Sequence, residues 1–198
     1  MYNNLYNYLI EDLLNVFKDN AYLSITIDNR IKKANFSTQD KKIYTKIIYG
    51  VVENKILLDY YLQPFVKGIR VKPIPRQALR IGAYVIDKMN IQNHFIVNEI
   101  VNVIKKIDYH SYNFVNAVLR NYESNEKPTL NNLSLLEKES IKLSIPKDIL
   151  NLLYNQYHEE CFNFYKESNV INSYRINILK ETKENVLKTL DNDNIEYN

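Results

Sequence analysis

Lysine and arginine clusters are the features of this sequence whose residue types and spacing point to chemistry. Four cations, at positions 70, 72, 76 and 80, fall within eleven residues. They span a proline-rich loop and the start of the helix that we expect after it. Side-chain cations and the free N–H groups of a helix N-terminus both attract phosphate, so this pattern is typical of polyanion binding. The full set of candidate cations is Arg70, Lys72, Arg76, Arg80, Lys32, Lys33, Lys105, Lys106 and Arg120.

Each of these cations also has a structural interpretation. For any single lysine, a solvated surface is the more common role. Arg80 lies in a predicted helix that also carries Leu79 and Ala83, where it could pair with a carboxylate. Arg120 shares a helix face with Asn116, four residues earlier. For this pair we favour a structural role, with Arg120 paired to an acid and Asn116 bonded to loop backbone, over contact with nucleic acid.

Other chemistries are excluded by residue type and spacing. The three glycines are too far apart to form a phosphate- or dinucleotide-binding loop. The single Cys161 rules out a disulfide framework and a four-cysteine zinc site, and we expect a buried, inert thiol. The three histidines lack metal-ligand spacing, and His94 is expected to cap or pack at a helix start. No metal is therefore predicted.

The N-terminus has neither the basic nor the apolar segment of a signal peptide. No apolar run approaches the roughly 20 residues that a membrane helix needs. We expect a cytoplasmic protein with no membrane contact.

The elements that must position the cations are helices. In the first predicted helix, Leu5, Leu9, Leu13 and Phe17 form one apolar stripe. Ser37 and Asp40 predict a capping box at the start of a later helix. Together the helices predict one all-α bundle over residues 1–122. Their approximate ranges are 3–18, 22–34, 38–62 with a kink near residue 54, 75–89, 93–107 and 111–121.

A polar segment at 123–132 predicts a linker, and the pattern changes after it. Residues 133–198 predict a small, mostly helical α/β subdomain. Its helices are expected at 133–143, 146–157, 159–167 and 182–190, the last capped by Thr182, with one strand at 172–179. Since a lone strand needs partners, we expect this subdomain to be cut short before a larger domain.

Charge follows the same division. Residues 1–125 hold 17 Lys and Arg against 11 Asp and Glu, whereas residues 126–198 hold 9 against 12. The bundle is therefore the basic half, and a polyanion should prefer it.

Five short motifs occur in an order that resembles NusB-like RNA-binding domains. They are Ile47–Val52, Leu57–Asp59, Arg76–Tyr84, His94 with Val97–Glu99, and Asn113–Arg120. The closest resemblance is to the N-terminal region of RsmB/Sun-type bacterial small-subunit rRNA cytosine-C5 methyltransferases. Ser144–Pro146 and Arg175–Asn177 are similar to the small subdomain that precedes the catalytic domain in that family.

The resemblance implies a mainly α fold, with a NusB-like bundle and a small α/β subdomain truncated before a Rossmann-like domain. It implies rRNA as the partner of the basic cations, and the protein's own C-terminal catalytic domain as a second partner. S-adenosylmethionine is implied for the complete parent enzyme. For these 198 residues we expect no cofactor and no catalytic residue, so the fragment itself should not methylate.

Two other functions stay open. A free-standing NusB-type antitermination factor would share the bundle, but such factors end near it, so the motifs after residue 140 argue against this alternative. A helical protein-interaction domain with no RNA role is the second alternative. Arg175 and Asn177 could face either RNA or the catalytic domain. Tyr44, Tyr49, Tyr60 and Tyr84 could stack on bases, although we expect core packing for most of them.

Overall fold

A computed structural model describes residues 2–89, 93–165, 175–193 and 195. It divides into two compact units, residues 1–165 and residues 166–198. The polar segment 123–132 lies inside the first unit, and a domain boundary at that segment stays a prediction.

The first unit contains nine α-helices among its described residues. They are α1 Tyr2–Lys18, α2 Leu23–Lys33, α3 Thr38–Glu53, α4 Lys55–Leu62, α5 Pro73–Lys88, α6 Asn93–Ile107, α7 Tyr112–Ser124, α8 Leu135–Leu143 and α9 Lys147–Tyr157. Short 3₁₀ helices cover Gln63–Val66, Tyr109–Ser111 and His158–Tyr165. The mainly α class predicted from the sequence is confirmed.

The core of the bundle lies where α1, α5, α6 and α7 pack against one another. The predicted stripe of α1 faces this core, with Leu5, Leu9 and Leu13 almost fully buried and Phe17 packed at its edge. Burying a leucine side chain stabilises a fold by about 1.5–3 kcal/mol, so this stripe is what fixes α1 to the bundle.

The predicted start and kink of the third helix are confirmed. Ser37 Oγ accepts from the Asp40 N–H at 3.1 Å, and the Asp40 carboxylate accepts from the Ser37 N–H at 3.3 Å, which completes the capping box. At the kink, the Asn54 side chain donates to the Gly50 carbonyl at 2.8 Å. The chain continues as α4, so the segment predicted as one kinked helix forms two consecutive helices.

Two glycines allow helices to approach closely. A Cβ on Gly50 of α3 would lie 2.0 Å from the Tyr84 ring, and one on Gly82 of α5 would lie 2.5 Å from Leu119. Neither position tolerates a side chain without movement of its neighbour. These glycines therefore serve packing and not phosphate binding.

A small module, residues 133–165, follows the bundle within the same unit. Ser134 and Glu137 form a capping box at the start of α8. Ile145, Leu150 and Cys161 form its buried cluster, which confirms the buried thiol. The module joins the bundle through Ser144, whose Oγ accepts from the Ile56 N–H at 2.8 Å. Ser144 thus caps α4 from 88 residues away in sequence.

The second unit contains α10, Lys183–Asn192, and Thr182 caps it as predicted by accepting from the Asn185 N–H. The strand prediction is wrong over its described part. Arg175–Asn177 is irregular, and residues 178–180 form a turn in which the Leu179 N–H donates to Asn177 Oδ1. Residues 172–174 lie outside the described structure. The alternating pattern arises in a turn because no second strand is present among the described residues to pair with it.

Two smaller boundaries also differ from the predictions. The helix expected at 159–167 is a 3₁₀ helix, His158–Tyr165, as far as it is described. The fifth helix begins at Pro73 and not at Pro75, because either proline satisfies an N-terminal position that needs no N–H.

Candidate nucleic-acid interface

One end of the bundle brings together two of the predicted cation clusters. The end of α1, the start of α5 and the residue after α6 line an open cleft of about 390 Å³. Lys18 and Lys72 line this cleft, as does Asp108. Lys105 and Lys106, in the last turn of α6, are exposed and directly precede Asp108 in the chain. The cluster around Lys72 and the 105–106 pair therefore share one end of the bundle.

We call this surface the basic end and define it by five exposed cations. They are Lys18, Arg70, Lys72, Lys105 and Lys106. None of them forms an ion pair with a described residue. Arg76 lies one turn into α5 and is half-buried. Cations that no carboxylate neutralises by contact are the ones that retain attraction for a polyanion.

Three carboxylates line the same cleft: Glu11, Asp19 and Asp108. Glu11 lies 3.0 Å from the Arg30 guanidinium, and Asp108 accepts from the Ser111 hydroxyl at 2.7 Å. Asp19 is exposed and forms no ion pair with a described residue, so it repels phosphate from its part of the cleft. A phosphate backbone is therefore expected to contact the exposed cations away from these carboxylates.

The start of α5 offers fewer backbone donors than the sequence suggested. Pro73 and Pro75 have no N–H, and the Arg76 N–H already donates to the Lys72 carbonyl at 3.1 Å. Only the Ile74 N–H remains in the first turn. The expected attraction of phosphate by free N–H groups therefore rests on few donors here, and side-chain charge has to supply most of it.

Arg80 is buried and pairs with a carboxylate, which is the structural role considered for it from the sequence. Its side chain donates to both carboxylate oxygens of Asp59, at 2.8 and 2.6 Å, and to Gln77 Oε1 at 3.1 Å. The guanidinium also lies 4.9 Å from the centre of the Phe17 ring. Only 4% of Arg80 is exposed. It joins α1, α4 and α5, and no phosphate can reach it without breaking that network.

Arg120 is also engaged within the protein. It donates to Asn98 Oδ1 at 2.9 Å and lies 3.5 Å from Glu123, which confirms its predicted pairing with an acid. The companion prediction for Asn116 is wrong within the described chain, since no hydrogen bond links it to loop backbone. One-third of the Arg120 side chain is exposed. Arg120 lies in α7 and does not line the cleft at the basic end.

Lys32 and Lys33 form a separate basic surface. They end α2 and are exposed, and Lys41 and Lys42 follow them at the start of α3. Arg30, two residues before Lys32, contacts Asp12 in the middle of α1. Lys18 ends α1, six residues further on, so the two surfaces are offset by roughly 9 Å along that helix.

A buried network around Asp12 was missed from the sequence. Arg30 donates to both Asp12 oxygens, at 2.7 and 2.8 Å, and the Tyr44 hydroxyl donates to Oδ2 at 2.7 Å. The hydrogen bond with Asp12 raises the pKa of Arg30, and burial raises the pKa of Tyr44. The available signal was an aspartate three residues after Leu9, on the apolar face of α1.

The remaining sequence candidates have mostly structural positions. Tyr44 and Tyr84 are buried and Tyr60 is half-buried, as predicted for most of these tyrosines, whereas Tyr49 is exposed. The side chain of His94 lies outside the described structure. Within the described ranges, no group of three or more His, Cys, Asp or Glu could hold a metal ion. None of the described helices is long and apolar enough to cross a membrane.

Comparison with known proteins agrees with this helical arrangement. Residues 3–124 match the NusB family. The chain belongs to the NusB family. The matched region runs from α1 to the end of α7, which is the bundle that carries the basic end.

Relatives of this NusB-family chain have two kinds of name. It is 32% identical over 123 residues to a probable ribosomal RNA small subunit methyltransferase B of Bacillus subtilis, covering 61% of this chain and 28% of the relative. A protein of the same name from Synechocystis is 25% identical over 189 residues, covering 90% and 42%. The transcription antitermination protein NusB of Saccharophagus degradans is 31% identical over 90 residues, covering 43% and 60%. The chain therefore spans less than two-thirds of each of these relatives.

Proposed function

We propose that this chain is the RNA-binding N-terminal region of an S-adenosylmethionine-dependent rRNA cytosine-C5 methyltransferase. The observation that carries the proposal is the extent of its similarity to the Synechocystis methyltransferase B relative. That similarity covers 90% of the chain, whereas the similarities to the antitermination proteins cover 43–54% of the chain. A relative that extends past the NusB region supports the methyltransferase assignment, since α8 and α9 then have a counterpart.

The structure gives the additional region a defined place. Ser144, in the Ser-Ile-Pro motif, caps α4 of the bundle, and Tyr60 of α4 donates to the Thr129 carbonyl at 2.8 Å. Bundle and module therefore meet along α4, which suits a region that positions a bound RNA relative to whatever follows. The proposed role is to hold rRNA and raise its concentration near a catalytic domain.

The proposed contact is electrostatic. The basic end presents exposed cations without ion pairs, and phosphate contacts supply much of the affinity in RNA binding. In this role the chain's own residues bind and orient rRNA. The transfer of a methyl group would belong to the catalytic domain of the full enzyme and its S-adenosylmethionine.

The test is the binding of a labelled rRNA hairpin to the whole chain at increasing salt. The triple variant Arg70→Glu, Lys72→Glu and Arg76→Glu should weaken binding about ten-fold or more and flatten the salt dependence. The matched control reverses three exposed lysines of the second unit: Lys180→Glu, Lys183→Glu and Lys188→Glu. Binding that is absent at low salt, or that does not fall with salt, would contradict the proposal.

A free-standing antitermination factor is the second candidate, and the 31% identity to the Saccharophagus protein favours it. The two functions differ in the RNA that each should prefer. Preference for a leader transcript over small-subunit rRNA hairpins, measured at equal salt, would favour the second candidate.

A further inference from the structure

A second cleft, of about 280 Å³, lies between α4 and the C-terminal half of α5. The basic end lies at the other end of α5, and a helix of 16 residues is about 24 Å long. The two surfaces are therefore separate. No part of the RNA contact argued above uses this second cleft.

The walls of the second cleft are apolar and aromatic. Leu57 and Tyr61 of α4 are half-buried, and Tyr84 of α5 is 7% exposed. Because α4 starts at the kink after Asn54, Leu57 and Tyr61 are one turn apart and lie on the same face of the helix. This face is the side of the cleft that faces α5.

Two polar side-chain atoms at this cleft make no hydrogen bond to any residue that the structure describes. The Tyr84 hydroxyl makes no hydrogen bond to a described residue, although its side chain is more than nine-tenths buried. Among the described residues, Asn7 Oδ1 is the one polar side-chain atom that is both buried from solvent and without a hydrogen bond. The Tyr84 oxygen has no hydrogen bond to a described residue either, and it must therefore be accessible to solvent. Asn54 donates through Nδ2 to Gly50 and leaves Oδ1 unused. Because both oxygens bond no described residue and are not sealed from solvent, they can bond a ligand that enters the cleft.

Of the charges around the second cleft, Asp87 and Lys127 pair with each other, whereas Lys88 and the nearby Glu53 form no ion pair with a described residue. Asp87 lies 3.2 Å from Lys127 and also accepts from the Tyr122 hydroxyl. Lys88 is exposed and has no ion pair with a described residue. Burial and the nearby Glu53 carboxylate raise the pKa of Tyr84, so its hydroxyl stays protonated and can donate. The cleft thus offers an aromatic wall, a donor, an acceptor and one unpaired cation.

We propose that this cleft takes one unpaired base of RNA, stacked on Tyr61, bonded at its edge to the Tyr84 hydroxyl and Asn54 Oδ1, with its phosphate beside Lys88. Proteins hold single-stranded RNA by stacking bases on aromatic rings and by contacting the backbone with cations. The volume lies just below the about 300–1,000 Å³ typical of ligand pockets, which suits a ligand no larger than one nucleoside. The inference rests on the proposed RNA-binding function and adds a site that reads unpaired nucleotides.

The test compares the whole chain with Tyr61→Leu and Tyr84→Phe. Tyr61→Leu should weaken the binding of single-stranded RNA about five-fold or more, because base–aromatic stacking is lost. Tyr84→Phe removes only an unpartnered hydroxyl, so folding should be kept while binding weakens about two-fold or more. Tyr49→Leu, on an exposed tyrosine of α3 outside the cleft, is the matched control and should bind like the unaltered chain. Circular dichroism confirms that each variant is folded.

Ultraviolet crosslinking locates the base directly. A single-stranded oligonucleotide should crosslink to the tryptic peptide 56–67, which contains Tyr61. Crosslinks found only in other peptides, or Tyr61→Leu binding as tightly as Tyr49→Leu, would overturn the inference and leave the proposed function standing. A chain that binds no RNA at all would overturn both. If free nucleoside monophosphates bind at this cleft while single-stranded RNA does not, the base-binding chemistry holds and RNA is the wrong source.

Discussion

The bundle and the module that follows it differ in how they are held together. In the bundle, α1 buries a continuous apolar stripe, and two arginine–aspartate pairs, each with one buried member, join its helices. In the module, the buried cluster consists of Ile145, Leu150 and Cys161. Large apolar side chains remain exposed there, including Leu152 at 66% and Phe164 at 55%.

The difference shows that the module depends on the bundle. Its three buried side chains and the five half-buried ones packed against them form a far smaller core than that of the bundle, to set against the conformational entropy of some 30 residues. Its hydrogen bond to α4, from the Ile56 N–H to Ser144, therefore matters more than a single bond suggests. The bundle, in contrast, is expected to fold on its own core, and changes in either region should separate the two behaviours.

The largest expected effect is in the bundle. Asp12→Ala leaves the Arg30 guanidinium and the Tyr44 hydroxyl without their shared acceptor in a buried site. We expect the free energy of unfolding, measured with urea, to fall by roughly 3–5 kcal/mol. Glu11→Ala removes only the exposed partner of Arg30 and should cost less than about 1 kcal/mol. Equal losses in the two variants would show that burial of Asp12 is not what gives the network its strength.

The junction between the two regions should respond next. Ser144→Ala removes the acceptor of the Ile56 N–H, a loss comparable to that of a helix cap, about 0.5–2 kcal/mol. Amide hydrogen exchange should become faster at Ile56 and across α8 and α9, and stay unchanged in α1. Ser124→Ala is the control, because its hydroxyl bonds only to carbonyls of α7 and to the side chain of the adjacent Asn125. Faster exchange in α1 as well would mean that the module and the bundle unfold as one cooperative unit.

The smallest effect lies within the module. Hydrogen bonds from Ser134, then Lys147, hold the pKa of Glu137 at about 2, below its ordinary value of 4.5. A carboxylate with a lowered pKa stabilises the fold above its unfolded pKa and loses that contribution as pH falls. The start of α8 should therefore loosen between pH 4.5 and about 2, as measured by amide exchange. Glu137→Gln should abolish this dependence, while Glu159→Gln, outside α8, should leave it intact.

Most helices could be predicted because their signals are local. Apolar spacing predicted α1, a serine and an acid three residues apart predicted the start of α3, and Thr182 predicted the start of α10. The strand prediction failed over its described residues, 175–179, for the same reason: alternation is local, but a strand exists only when another strand pairs with it.

The candidate interface could be predicted only in part. Lys72 and Lys105 were both singled out, but nothing local shows that they share one end of the bundle. Arg80 belongs to the same sequence cluster as Arg76 and yet is buried against Asp59, 21 residues earlier. Exposure depends on which helix packs over a residue, and the spacing of cations along the chain does not contain that information.

The sequence by itself determined the class of the protein, because helix periodicity, caps and ordered motifs are properties of neighbouring residues. It fixed the helices, the basic character of the first half and the resemblance to NusB-like domains. Only the tertiary structure decided which cations are exposed without an ion pair to a described residue, that Ser144 caps a helix of the bundle, and that Tyr61 and Tyr84 line one cleft. These contacts join residues far apart in the chain, and packing of the whole bundle is what brings them together.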